Sequence, residues 1–420
     1  MLQRWRSTYN EYPKPFWTLM GASLVDNLGR FLLFPYFSLY ITKRFGVGLT
    51  EVGILFAIFS LSSMVGSFIG GAITDKFGRK SMLLFGLVTS ALSSLLMGIV
   101  DSLSAFYILS AVVGVLSNGG GPAQQAMIAD LLPEKKRAEG YGMHRVVFNI
   151  SATIGPALGG ILANINFLWL FVFDAVSSII TALIVYFVIP ETKPEGSEEQ
   201  EDESLTQSVG GYGKIFRDSP YMAYVLISII VTIVYVQMNS TMPVYLRDQH
   251  DIAPTGYGAL LSMNAAIVVF FQFWITRRVS GRAPLKVMAA GTLLYAIGFG
   301  MFGFGSTFEY FILAMIVITV GEMVLAPVGQ ALVASFSPED MRGRYMAVFG
   351  FTWGISFAFG PLIAGYVTDS FDPNWVWYGS FILAMIGVLG YLLLHARIGP
   401  QLEDEDSSGL SASTSSAATD

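Results

Sequence analysis

Apolar stretches of about 20 residues, each long enough to cross a bilayer, recur from one end of this 420-residue chain to the other. They fall at 16–42, 51–74, 81–100, 103–130, 140–164, 168–190, 220–246, 256–278, 284–303, 308–334, 343–369 and 375–396. A helix rising about 1.5 Å per residue needs about 20 residues to span a hydrocarbon core of about 30 Å, so each stretch predicts one membrane helix. Strands of a membrane barrel would be about ten residues long and alternate in polarity, which excludes a barrel. The composition agrees, with 53% hydrophobic and only 13% charged residues and a mean hydropathy of +0.59. Soluble domains are nearer a quarter charged.

The stretches are duplicated. Advancing the first half by 205 positions places Pro15 on Pro220, Tyr40 on Tyr245, and Thr50, Gly53 and Leu55 on Thr255, Gly258 and Leu260. Further along, Gly86 meets Gly291, Pro122 meets Pro327, Gln125 meets Gln330 and Arg137 meets Arg342. Gly155, Pro156 and Gly160 meet Gly360, Pro361 and Gly365, and no gap is needed anywhere. The expectation is an all-α membrane protein of 12 transmembrane helices, built as two like-oriented six-helix bundles. The expected parts are an N-terminal bundle at 1–190, an acidic cytoplasmic linker at 191–219, a C-terminal bundle at 220–396 and a disordered cytoplasmic tail at 397–420.

Basic residues set the orientation. Of the 24 Lys and Arg, 20 lie on the side of the N-terminus, including Lys135, Lys136 and Arg137. The opposite side holds Lys43, Arg44 and Arg247, and Arg30 sits within the first stretch. Both termini are therefore expected in the cytoplasm. The net charge of −6 arises from the acidic run at 195–203 and the end of the chain after Glu403, both of which read as solvated segments. With no Cys there is neither a disulfide nor a thiolate metal site, and the redox compartment is left open. The first stretch is too long for a cleaved signal and lacks a small-residue cleavage site, so it is expected to remain a helix.

The strongest local motif is Gly71-Ala-Ile-Thr-Asp75-Lys76-Phe-Gly78-Arg79-Lys80, between the second and third stretches. Gly71 allows close helix approach, Gly78 permits a tight turn, and Asp75 suits the positive N-terminal end of a helix. Arg79 can pair with Asp130 at the end of the fourth stretch. With the duplicated six-helix plan, this pattern resembles the major facilitator superfamily over residues 12–397. The resemblance implies a latch that closes the inner gate; the residues alone are also compatible with a simple positive-inside signal. Ser280 and Ser335 replace Asp75 and Asp130 in the second copy, so any latch is asymmetric. In the fifth stretch Gly155-Pro156-Ala-Leu-Gly159-Gly160 is similar to the antiporter motif of drug/proton exporters in that family. Read as residues, it is a close-packing face with a proline bend, which carries no direction.

Charges inside the membrane are costly, roughly 2.5–3.5 kcal/mol each at a helix centre on insertion scales. Asp26 and Arg30 share a face of the first helix and can neutralise each other, either as a structural pair or as part of transport. Glu322 falls mid-membrane in the tenth stretch. A carboxylate there gains by taking up a proton, which is what proton coupling requires, and a hydrogen-bonded structural role is the other reading. Arg145, with His144, opens the fifth stretch, and Asp174 lies in the sixth without an assigned role. Candidate cavity residues are Tyr36, Asn149, Tyr235, Gln237, Asn239 and Gln330 for hydrogen bonding. Met323, with Met238, Met242, Met263, Phe270, Phe271 and Trp353, would add adaptable apolar surface.

Two departures from the exporter pattern stand out. Ser110 takes the place of an Arg before Gly114, and Asn239 is uncharged where some relatives are acidic. The first stretch also lacks the E-x-x-E-R signature of peptide symporters, and no Walker motif points to ATP. The resemblance implies a monomeric secondary transporter of the plasma membrane (a bacterial or archaeal inner membrane), not an enzyme. It would exchange amphipathic small molecules for protons, with Asp26, Arg30 and Glu322 in the proton route. The proton gradient would be its energy source, with no cofactor, no metal and no nucleic-acid partner. A proton-coupled importer or lipid carrier on the same fold is an alternative, and a non-transporting sensor or scramblase is one of a different class.

Overall fold

The computed structural model describes residues 11–117, 120–192, 212–338 and 341–416; side chains at 68–76, 117, 138 and 400–416 fall outside the description. The described chain is helical with no strand. The helices are α1 (Lys14–Leu33), α2 (Phe37–Phe45), α3 (Leu49–Phe77), α4 (Arg79–Ile99), α5 (Leu103–Ser117), α6 (Gly120–Leu131), α7 (Glu134–Ile165) and α8 (Leu168–Val188). After the linker come α9 (Ser219–Ser240), α10 (Met242–His250), α11 (Pro254–Val279), α12 (Pro284–Phe302), α13 (Phe308–Phe336), α14 (Arg342–Ser370) and α15 (Trp375–Ser416).

Among the described residues, 11 helical segments are long and apolar enough to span a membrane, with α5–α6 read as one. The stretch at 16–42 is not among them. It is helical but broken by the 3-10 turn Phe34–Tyr36, where Pro35 removes a backbone donor, and Asp26, Asn27 and Arg30 make α1 polar. The seventh stretch breaks likewise between α9 and α10. There the Gln237 carboxamide accepts from Ser240 (3.2 Å) and Thr241 (2.7 Å), and Pro243 starts the next helix. The chain end differs from expectation, because α15 runs through Pro400 to Ser416. The Gln401–Glu405 segment has good helix formers, and Pro400 subtracts one hydrogen bond without ending the helix. The linker residues 193–211 lie outside the described residues.

Packing divides the chain into two units that cut across the halves of the repeat. One comprises Met1–Gln200, Gln237–Val269 and Phe357–Asp369; the other comprises Glu201–Val236, Phe270–Ser356 and Ser370–Asp420. In the first, α1 packs on α7 and α8, α4 on α6 and α8, and α3 on α5. In the second, α12 lies against both α13 and α15. Large side chains such as Phe187 (75% exposed) and Leu393 (71%) point outward, as hydrocarbon requires.

The 205-residue duplication persists in three dimensions. Ser151, fully buried on α7, donates to the carbonyl of Leu24 on α1 at 3.3 Å. Its counterpart Ser356, fully buried on α14, donates to the carbonyl of Ile229 on α9 at 3.1 Å. Serines in apolar helices carry no visible pattern, so these matched interhelix bonds escaped the sequence reading.

Two glycine crossings repeat as well, both inside the first unit. At the α3–α14 crossing a Cβ on Gly53 would lie 2.4 Å from Leu362 Cα, and one on Gly365 2.2 Å from the Leu49 carbonyl oxygen. At the α11–α7 crossing a Cβ on Gly258 would lie 2.5 Å from the Pro156 carbonyl oxygen, and one on Gly160 2.8 Å from that of Pro254. Only glycine permits either approach.

Candidate functional site

The second unit holds a half-open cavity of about 170 Å³ between α9, α12, α13, α14 and α15. Glu322 on α13 is its carboxylate, and Tyr235 on α9 donates to Glu322 Oε1 at 3.1 Å. The Tyr235 ring stacks on Tyr295 (centroids 5.7 Å apart, planes at 23°) and meets Trp353 edge-on at 5.7 Å. Met288, Phe349 and Tyr391 complete most of the apolar wall, while Ser228, Thr232 and Gln330 supply polar groups. Packed aromatic faces around a single hydrogen-bonded carboxylate suit a flat or cationic guest, because ring faces and the carboxylate attract the same charge.

Of the predicted cavity residues, Tyr235, Gln330 and Trp353 line this space with Glu322. Tyr36 is fully buried in the first unit, with its hydroxyl donating to the carbonyl of Pro156. Gln237 is 3% exposed and committed to the α9–α10 break and to the Gly360 carbonyl at 3.0 Å. Met323 is 1% exposed, and its backbone carbonyl accepts from Gln272 at 2.9 Å. Asn149 and Asn239 are half-buried and do not line the cavity. Phe270 (78% exposed) and Phe271 (52%) face outward. The misplacements share one cause: an all-round apolar helix gives no rotational phase from which to read its inner face. Tyr295, Phe349 and Tyr391 were missed for the same reason.

A second polar constellation lies in the first unit. Asp26 and Arg30 pair at 3.7 Å, with the Arg30 side chain 65% exposed and that of Asp26 only 20%. Ser178 on α8 donates to Asp26 at 3.1 Å. Asp174, one turn earlier on α8 and 6% exposed, accepts from Ser94 on α4. Gly29 brings α1 against this point, since a Cβ there would lie 3.0 Å from Asp174 Cα. Two carboxylates and one guanidinium therefore share the α1–α4–α8 interface.

The loop motif is partly described. Gly78 has φ +91° and ψ 158°, a conformation open essentially to glycine, and starts α4. Arg79 Nε lies 3.4 Å from Asp130 Oδ2, as its sequence position predicts, and Thr192 donates to the same carboxylate at 3.3 Å. Glu191 caps α4 by accepting the backbone N–H groups of Arg79 (3.0 Å) and Lys80 (3.1 Å), a role the sequence did not suggest. Lys80 donates to the Tyr186 carbonyl at 2.8 Å. The side chains of Asp75 and Lys76 and the surroundings of Gly71 lie outside the description. On the fifth stretch Gly155 and Gly159 pack on α1: a Cβ on Gly155 would lie 2.5 Å from Phe31 Cβ, and one on Gly159 would lie 2.4 Å from the Leu32 carbonyl oxygen. Pro156 sits inside an unbroken α7.

Comparison with known proteins places this architecture. The chain is 27% identical to a Na(+), Li(+), K(+)/H(+) antiporter of Planococcus maritimus over 84% of its own length and 87% of the relative. It is 25% identical to the class H tetracycline resistance protein of Pasteurella multocida, covering 81% and 86% of the two chains. Its fold is similar to that of a crystallised nucleoside transporter, with a TM-score of 0.79 and 12% identity over 91% of this chain and all of the other. The pattern of the Major Facilitator Superfamily matches residues 19–284 and 239–417, and the chain belongs to that family of transporters.

Proposed function

We propose that this transporter exports amphipathic small molecules, with aromatic cations the best fit, in exchange for protons. The observation that carries the reading is the Glu322–Tyr235 pair inside an aromatic cavity. A carboxylate in such a site binds either a proton or a cationic guest, and that competition is the elementary requirement of antiport. The similarity to an antiporter and to a tetracycline resistance protein supports exchange and outward direction. The reading also includes a cytoplasmic membrane location with both termini inside, supported by the bias of basic residues. Asp26, Arg30 and Asp174 form a second proton-binding cluster in this scheme, with the proton gradient as the energy source and a single chain as the working unit.

The test uses inside-out membrane vesicles energised to acidify their lumen, with a fluorescent aromatic cation outside. The expected result is accumulation of the dye that collapses with a protonophore and is lost in Glu322→Gln. Dye uptake by Glu322→Gln at the wild-type rate would remove Glu322 from coupling. Loss of dye from preloaded vesicles on energisation would reverse the assigned direction. The similarity to a Na(+), Li(+), K(+)/H(+) antiporter supports a second reading, exchange of inorganic monovalent cations. Collapse of the pH gradient by added sodium or potassium chloride, without any dye, would favour it.

A further inference from the structure

Alternation of the spans puts the two glycine crossings of the first unit at the face of the membrane opposite the N-terminus, and one contact within them breaks the repeat. At the α3–α14 crossing the Asp369 carboxylate accepts the first backbone N–H groups of α3, from Leu49 (3.0 Å) and Thr50 (2.7 Å), and the Thr50 hydroxyl at 2.6 Å. At the α11–α7 crossing the residue 205 positions earlier is Asn164, and the partner of Thr50 is Thr255. Asn164 Nδ2 donates to Thr255 Oγ1 at 3.4 Å. The same contact thus occurs in both halves, tripled and charged in one, single and neutral in the other. A carboxylate at a helix N-terminus joins charge-assisted hydrogen bonds to the favourable helix dipole, and a carboxamide offers neither.

We propose that Asp369 is the gating residue of the distal face, holding α3 against α14 so that the α7–α11 crossing parts first. For the face to open, the Asp369 carboxylate must leave three donors. The Asn164 twin must leave one. Gly48 stands beside the carboxylate, where a Cβ would meet Asp369 Oδ2 at 2.4 Å, so the segment before α3 is shaped to admit it. The inference rests on the exchange proposed above, which requires the distal face to open and close in each cycle, and is independent of substrate and direction.

The chain contains no Cys, so paired cysteines report without background. Spin labels at Ile54 and Ile363 read the α3–α14 crossing, and labels at the repeat-related Leu158 and Ala259 read the α7–α11 crossing. All four positions are exposed, each within two residues, along its helix, of a residue at its crossing. In nanodiscs, without substrate or gradient, Asp369→Asn is expected to raise the parted fraction across α3–α14 about tenfold, the loss of a charge-assisted cap. Asn164→Asp is expected to lower the parted fraction across α7–α11. The double exchange is expected to make α7–α11 the tighter crossing. Unchanged distances in both single variants would overturn the proposal, as would a double exchange that leaves α3–α14 the tighter crossing. Should Asp369→Asn fail to fold, Asn164→Asp alone decides, since an unshifted α7–α11 distance then refutes the role of the carboxylate. Because no transport is measured, failure here is separable from failure of the export reading.

Discussion

Replacing Gly365 by Ala tests how tightly the α3–α14 crossing is drawn. The new methyl carbon would lie 2.2 Å from the Leu49 carbonyl oxygen and 2.7 Å from the Thr50 nitrogen. Restoring an ordinary contact of roughly 3.5 Å requires the helices to part by about 1 Å. The Asp369 bonds to Leu49 and Thr50, now 3.0 and 2.7 Å, would stretch past hydrogen-bonding range. Losing them costs about 2–3 kcal/mol after allowance for the exposure of Asp369, equivalent to a shift on the order of 30- to 150-fold toward the parted crossing. The twin Gly160→Ala is milder, because its methyl would meet the Pro254 oxygen at 2.8 Å. Gly379, on α15, is the control: a Cβ there meets nothing within 4 Å, and alanine should stabilise that helix by about 0.5–1 kcal/mol. Thermal unfolding in detergent and the Ile54–Ile363 spin-label distance report the two quantities. If Gly365→Ala proves as benign as Gly379→Ala in both, the argument from close approach is wrong.

Four further outcomes follow from the geometry. Ser151→Ala and Ser356→Ala each remove one matched interhelix bond and should each lower stability by about 0.5–1.5 kcal/mol, with similar losses in melting temperature in the two halves. Glu191→Gln should accelerate amide exchange at Arg79 and Lys80 by roughly fivefold, the loss of about 1 kcal/mol of N-terminal capping. Gly78→Ala should destabilise by about 1–3 kcal/mol in denaturant titration, because its backbone conformation excludes a side chain. Asp174→Asn should preserve folding, since an amide still accepts from Ser94, while altering the proton dependence of dye transport in vesicles.

What could be read in advance was what depends on periodicity. Apolar length marked the spans, the 205-residue shift marked their duplication, and the Gly-Pro clusters marked where helices cross. The Arg79–Asp130 pair was also legible, since the motif fixes one partner and the end of the fourth stretch offers the other. Glu191 was hidden because it is 112 residues from Arg79 in a segment that reads as solvated linker. The cavity lining was hidden by rotation. Tyr36, Gln237 and Met323 look like lining residues in one dimension but turn into helix interfaces, whereas Tyr295 and Tyr391 look like generic aromatics and turn inward.

The first span is the one least able to enter a membrane alone, and this bears on how the protein is made. Helix α1 leaves the ribosome before the helices it packs against, carrying Asp26, Asn27 and Arg30 and ending at a broken turn. Its partners come late: Ser151 is 127 residues downstream of Leu24, and Ser178 is 152 residues downstream of Asp26. Until α7 and α8 are synthesised, two charges that cost roughly 2.5–3.5 kcal/mol each at a helix centre have only each other. Biogenesis must therefore hold α1 at the insertion machinery, or at the water interface, while the next four spans are threaded, and α8 then draws it in. The polar site and the order of assembly are set by the same residues.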